Sequence, residues 1–136
     1  RFQYLKSGKI KNKLFKNEQI LLDGAHAETD AKNLADFLRN IKTPKYAIWA
    51  MMKNKEPDMF IKQFKGIFKK IITVPIETEK NSMSAIDLKI IAKKNGFNVE
   101  NANNINEAIR KITSSDKKLI SCIGSLYNVG NILNQN

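Results

Sequence analysis

Residues 46–52 read YAIWAMM, an unbroken apolar run. Its shortness and its β-branched and aromatic content suit a strand, and the lack of polar alternation predicts burial on both faces. Strands of that kind belong to parallel sheets covered by helices on each side. The segments on either side agree. Upstream, Ala31, Leu34, Ala35 and Leu38 recur at helical spacing, closed by Thr43-Pro44. Downstream, Pro57 stands where a helix can start, and Phe60, Phe64, Ile67 and Phe68 give it an inner stripe.

Further strands and helices follow in the same rhythm. Gln19–Leu22 reads as a short strand ending at Asp23-Gly24, and Lys70–Val74 as another, ended by Pro75. Ser84 with Asp87 forms an acidic variant of the capping box before Leu88, Ile91 and Ala92, and Gly96 suits the residue just past that helix. Phe97–Val99 reads as a short strand. Asn104 with Glu107 starts a helix whose apolar face is Ile105, Ala108, Ile109 and Ile112. Leu119–Ile123 is the last strand, and Gly124-Ser125 turns into a final helix carrying Leu126, Val129 and Leu133. At the N-terminus, Phe2–Leu5 and Lys13–Phe15 suit an antiparallel hairpin about Ser7-Gly8.

The expected fold is therefore α/β: a three-layer, Rossmann-like, mostly parallel sheet of about six strands with helices on both faces. The 136 residues fit one domain, 1–136. Hydrophobic residues make up 42%, spread along the chain, which excludes a disordered polymer. Cys122 is the only cysteine and lies in an apolar run, so neither a disulfide framework nor a zinc site is expected, and the cytoplasm is the natural compartment. No apolar stretch approaches the ~20 residues of a membrane helix, so no membrane partner is expected.

The net charge of +11 attracts phosphates, polycarboxylates or nucleic acid. Only Arg1, Arg39 and Arg110 are arginines, and sequence-reading nucleic-acid proteins rely on arginine forks and exposed aromatics. The lysine, asparagine and isoleucine bias equally fits an AT-rich genome. A nucleic-acid-binding domain is therefore the least favoured of three functional readings.

Ligands of such sheets bind beyond the carboxyl ends of the strands. That rule selects four loops: Asp23–Glu28, Lys53–Asp58, Pro75–Ser84 and Gly124–Tyr127. In the first, Asp23 can accept from a ribose diol, Gly24 and Ala25 allow close approach, and His26, the only histidine, can bind an anion or move a proton. The alternative is a capping aspartate beside a surface histidine. In the last, Gly124 and Ser125 open a helix able to hold an anion, or Ser125 is an ordinary N-cap with Tyr127 in the core. Lys53 and Lys55 either neutralise phosphate or sit in a solvated turn. Trp49 and Cys122 are assigned to the core. No GxxxxGK[ST] and no paired histidines occur, so no metal site and no independent ATP hydrolysis are expected of this chain.

Together these loops resemble a family. ILLDGAHAETDAKNLADFL is similar to the D-G-A-H-N-P segment and following helix of folylpolyglutamate and dihydrofolate synthases, and LISCIGSLYNVGNIL to that family's last strand, G-S-L-Y turn and helix. Arg1-Phe2-Gln3 resembles the G-R-F-Q stretch that opens the family's C-terminal domain, and AMMKNKEPDMF falls at its G-M-x-x-D-K-D loop. The order agrees across essentially the whole chain. The resemblance implies the C-terminal domain shared by the Mur ligases, a six-stranded mixed sheet with about five helices. It also implies an N-terminal P-loop domain, absent from this chain, that holds ATP and Mg2+ and activates a carboxylate as an acyl phosphate for attack by L-glutamate.

On that resemblance Arg1 reaches the ATP phosphates and Asp23 the ribose. His26 sits near the reacting phosphate or the incoming glutamate, and Ser125 near the glutamate. The implied partners are ATP, L-glutamate, a folate or dihydropteroate, and the ATPase domain of the same polypeptide; the chain alone is expected to be inactive. The chain departs from the pattern at Ala27, where the motif has asparagine, at Asn54 and Glu56, where it has aspartates, and at Ala50, where it has glycine. Those departures keep open a non-catalytic, anion-binding module of the same fold.

Overall fold

The structure is a computed structural model and describes residues 2–136. Its elements run β1 (Phe2–Tyr4), a 3-10 turn (Lys11–Lys13), β2 (Glu18–Asp23), α1 (Glu28–Arg39), β3 (Lys45–Trp49), α2 (Pro57–Lys62), β4 (Lys70–Thr73), α3 (Ala85–Lys94), β5 (Val99–Asn101), α4 (Ile105–Ile112), β6 (Lys118–Ile123) and α5 (Leu126–Gln135). The strands form one sheet in the order β1-β2-β6-β3-β4-β5. Only β1 runs antiparallel to its neighbour.

The two most apolar strands lie side by side near the centre. Cys122 of β6 pairs with Leu22 of β2 on one side and Ile48 of β3 on the other. Every residue of β6 is buried. Alternation along the strands builds two cores. Leu21, Ala47, Trp49 and Ile71 face α1, α2 and α3 through Leu34, Phe60 and Leu88. Ile20, Ile48, Ile72 and Ile120 face α4 and α5 through Ile109 and Ile132. The three-layer α/β reading therefore holds.

Both anticipated caps form. Asp87 N–H donates to Ser84 Oγ at 3.0 Å, and Glu107 N–H to Asn104 Oδ1 at 2.8 Å. Pro57 occupies the first turn of α2, where its missing N–H costs no helical bond. Helix α2 ends at Lys62, yet Phe64 and Phe68 remain in the core through the turns that follow. Strand β5 begins at Val99, two residues beyond the expected start.

Two expectations are corrected. There is no hairpin about Ser7-Gly8. Instead β1 pairs with β2 (Phe2 with Asp23, Tyr4 with Leu21), because the exposed edge of β2 satisfies its backbone. Lys13 lies in the 3-10 turn, and Phe15 is exposed. Helix α5 is also rotated from its expected face. It buries Asn128, Asn131 and Ile132, while Leu126 and Leu133 are 66% and 41% exposed. Its C-terminal end is pinned by Asn136, whose Oδ1 accepts from Ile10 N–H and whose Nδ2 donates to the Ser7 carbonyl.

Candidate functional site

Strand β2 ends at Asp23, and the turn after it is self-braced. The Asp23 carboxylate accepts from the Ala25 N–H at 2.7 Å, the local bond aspartates make in turns. Asp23 is itself buried. Strand β6 ends beside it. Gly124 has φ +110, and its N–H donates to the Ala25 carbonyl at 3.1 Å. A Cβ on Gly124 would stand 1.9 Å from the Ala50 carbonyl oxygen, so only glycine lets the β6 turn pass this close to β3. Gly24 plays the matching part: a Cβ there would meet Leu126 Cδ2 at 2.2 Å. The D-G-A-H and G-S-L-Y turns are thus locked together at one rim of the sheet.

Beside them lies a cavity of about 330 Å³ lined by Phe2, Asp23, His26, Asp30, Asn33 and Leu126, among others. His26 is half-buried. Its Nδ1 is closed off from solvent and has no hydrogen-bond partner among the described residues. That leaves Nε2 as the ring nitrogen able to meet a ligand. Phe2 packs on Phe37 of α1, ring centroids 4.6 Å apart, which holds an exposed aromatic at the mouth.

Ser125 is at the same rim but does not line the cavity. It is buried, and its Oγ accepts from Tyr127 N–H at 3.0 Å, capping α5. Tyr127 is 56% exposed rather than core. Arg1 lies outside the described residues. Asp30 and Asn33, one helical turn apart on α1, were not anticipated as lining residues. Their only sequence signal is position, on the flank of the helix that follows D-G-A-H.

The two remaining loops are tied to each other by backbone hydrogen bonds. Lys53 N–H donates to the Asn81 carbonyl and Met83 N–H to the Met51 carbonyl, tying 53–58 to 75–84. Ala27 is the N-cap of α1 and offers no side-chain acceptor. Cys122 is buried, and burial pushes its thiol up to about 12, far from the reactive thiolate range. Among the described residues no group of three His, Cys, Asp or Glu side chains converges to hold a metal ion. No helix among them is long and apolar enough to cross a membrane.

Residues 6–135 match the sequence pattern of the family described as dihydrofolate synthetase, C-terminal domain. The chain belongs to that family. A comparison with curated proteins gives no match. Solved structures similar to this chain include Mycobacterium tuberculosis folylpolyglutamate synthase complexed with ADP, at 18% identity and TM-score 0.78 over 85% of this chain and 29% of that one. Thermotoga maritima folylpolyglutamate synthase gives 24% identity and TM-score 0.74, over 88% and 28%. The bifunctional folylpolyglutamate synthase/dihydrofolate synthase of Yersinia pestis, complexed with AMPPNP and Mn ion, gives 18% and 0.73, over 85% and 28%. These likenesses show that the six-stranded α/β fold is the one such synthases contain. The domain spans under a third of each of those chains.

Proposed function

We propose that this domain closes over the active cleft of an ATP-dependent ligase that joins L-glutamate to a folate or dihydropteroate carboxylate through an acyl phosphate. The observation that carries the reading is the junction of the D-G-A-H and G-S-L-Y turns through Gly124 and Ala25 beside a cavity holding Asp23 and His26. Both turns resemble those of the ligase family, and they meet at the carboxyl ends of parallel strands, where such sheets bind ligands.

In this reading Asp23 takes the nucleotide ribose at the buried end of β2, and Arg1 reaches the phosphates. His26 offers Nε2 to the reacting phosphate or the incoming glutamate. Ser125 acts through the start of α5, because its hydroxyl is engaged in capping. The exposed Phe2 and Leu126 at the mouth supply apolar cover that helps exclude water from a hydrolysable intermediate. Magnesium, when bound, neutralises phosphate charge. On the same reading its ligands would come from an N-terminal P-loop ATPase domain of the same polypeptide. A lone buried thiol suits a cytoplasmic enzyme.

The test is a glutamate-dependent release of ADP measured with dihydropteroate and with tetrahydrofolate. A polypeptide carrying an upstream P-loop domain joined to this one should turn over with at least one of them, and residues 1–136 alone with neither. Glutamate-dependent turnover by residues 1–136 alone, or none by the two-domain polypeptide with either substrate, would refute the proposal.

A further inference from the structure

Helix α5 reads LYNVGNILNQ and holds no charged residue, in a chain that is 27% charged. The other four helices each carry at least two charges. Burial does not explain the difference. Leu126, Tyr127, Gly130, Leu133 and Asn134 are exposed, and positions i, i+1, i+4, i+7 and i+8 form one continuous helix face. Its centre is open: no atom lies within 4 Å of where a Cβ would stand on Gly130. A surface helix normally turns its leucines inward. Here the inner side holds Asn128 and Asn131, and the Asn128 amide and Asn131 Nδ2 have no hydrogen-bond partner among the described residues.

Leucines in water and unpaired amides in the interior both count against this rotation in the domain by itself. A partner covering the outer face removes the first of these costs. Depletion of charge around an exposed tyrosine is also the composition of an interface core. Size and position select the occupant. A ten-residue helix is about 15 Å long and about 10 Å across, so this face offers on the order of 150–300 Å². Separate molecules need about 800 Å² each to associate stably, too much for a second copy docked on this face alone. A covalently linked domain needs far less, because the tether supplies a high effective concentration. The chain spans under a third of the synthases it resembles, and β1 places Phe2 on the same cavity as Leu126, so residues preceding β1 enter beside this face.

We infer that the outer face of α5, formed by Leu126, Tyr127, Gly130 and Leu133, docks against the ATPase domain of the same polypeptide. The surface is read from this domain; the identity of its partner rests on the two-domain ligase proposed above.

The experiment places the photo-cross-linking residue p-benzoylphenylalanine at position 133, or at position 90 as a control, in the two-domain polypeptide. Ile90 is more exposed than Leu133 but lies on the charged helix α3. Each protein is irradiated with and without ADP, digested, and read by mass spectrometry. Position 133 should join a peptide upstream of residue 1 within the same molecule in at least one state, and position 90 should not. Gly130→Lys sets a charge at the open centre of the face and should lower that yield about tenfold or more, as an uncompensated charge does in a closed contact. Adducts only between two copies, equal yields from positions 133 and 90, no adduct from 133 in either state, or a yield indifferent to Gly130→Lys would each overturn the surface. Adduct formation needs no turnover. A polypeptide that forms the adduct without glutamate-dependent turnover would therefore sink the ligase reading and keep the surface, and one that turns over without the adduct would sink the surface alone.

Discussion

The Gly124 N–H donates to the carbonyl of Ala25 at 3.1 Å, joining two turns from opposite ends of the chain. The bond exists because β2 and β6 are neighbours in the sheet and because each turn has a glycine where a side chain would collide. It makes one rim out of the acid, the imidazole and the start of α5. Residues distant in sequence therefore answer to the same local geometry.

The two glycines differ in what they would strike, and so in cost. Gly124→Ala places a methyl against backbone, at a φ that L residues rarely adopt. It should destabilise the domain by about 2–4 kcal/mol. Gly24→Ala meets the tip of the exposed Leu126 side chain, which can swing away, and should cost about 1 kcal/mol or less. Urea denaturation of the two variants checks the order.

At the far end of the same strands, Glu18 and Lys118 form a buried ion pair with Oε2 and Nζ 2.8 Å apart. Burial pushes the Glu18 carboxyl up, but Lys118, the Thr113 hydroxyl and the Phe15 and Ser114 N–H groups together hold it below its ordinary value of 4.5. A depressed folded-state value means the stabilisation is present above 4.5 and is lost as pH falls from there through the lower folded value. Lys118→Met strands the carboxylate and should cost about 3–5 kcal/mol at neutral pH. That gap should narrow in acid, where the variant's Glu18, without Lys118 to hold its charge, protonates first. Denaturant titrations of both proteins at neutral pH and at about pH 4 measure it.

Helix α1 begins without a side-chain acceptor, because Ala27 is its N-cap. Ala27→Asp supplies one, and the added charge favours the helix N-terminus. Stability should rise by about 0.5–2 kcal/mol. Thermal unfolding followed by circular dichroism checks this, and an unchanged or lower midpoint would contradict it.

Most of the architecture was legible because burial on both faces leaves a plain mark. YAIWAMM and the run ending at Ile123 became the adjacent strands β3 and β6, and Ser84 and Asn104 capped the helices they precede. Local patterns failed where the partner was remote. The N-terminal strand took β2 rather than a hairpin mate, and α5 turned its asparagines inward while Leu126 faced solvent. The first and last site loops were visible as strand ends followed by glycine. Asp30 and Asn33 were not, because polar residues on a helix flank look the same whether they face water or a cavity. The sequence left Ser125 open between ligand and cap, and its hydroxyl is bonded within α5.

The most direct test of the proposed ligase role is steady-state, glutamate-dependent ADP release by the two-domain polypeptide carrying His26→Ala, with circular dichroism to verify the fold. Loss of a group acting on the reacting phosphate or amine should lower kcat by about 10²-fold or more with an unchanged spectrum. A His26→Ala enzyme with the parent's kcat and KM for glutamate would contradict it.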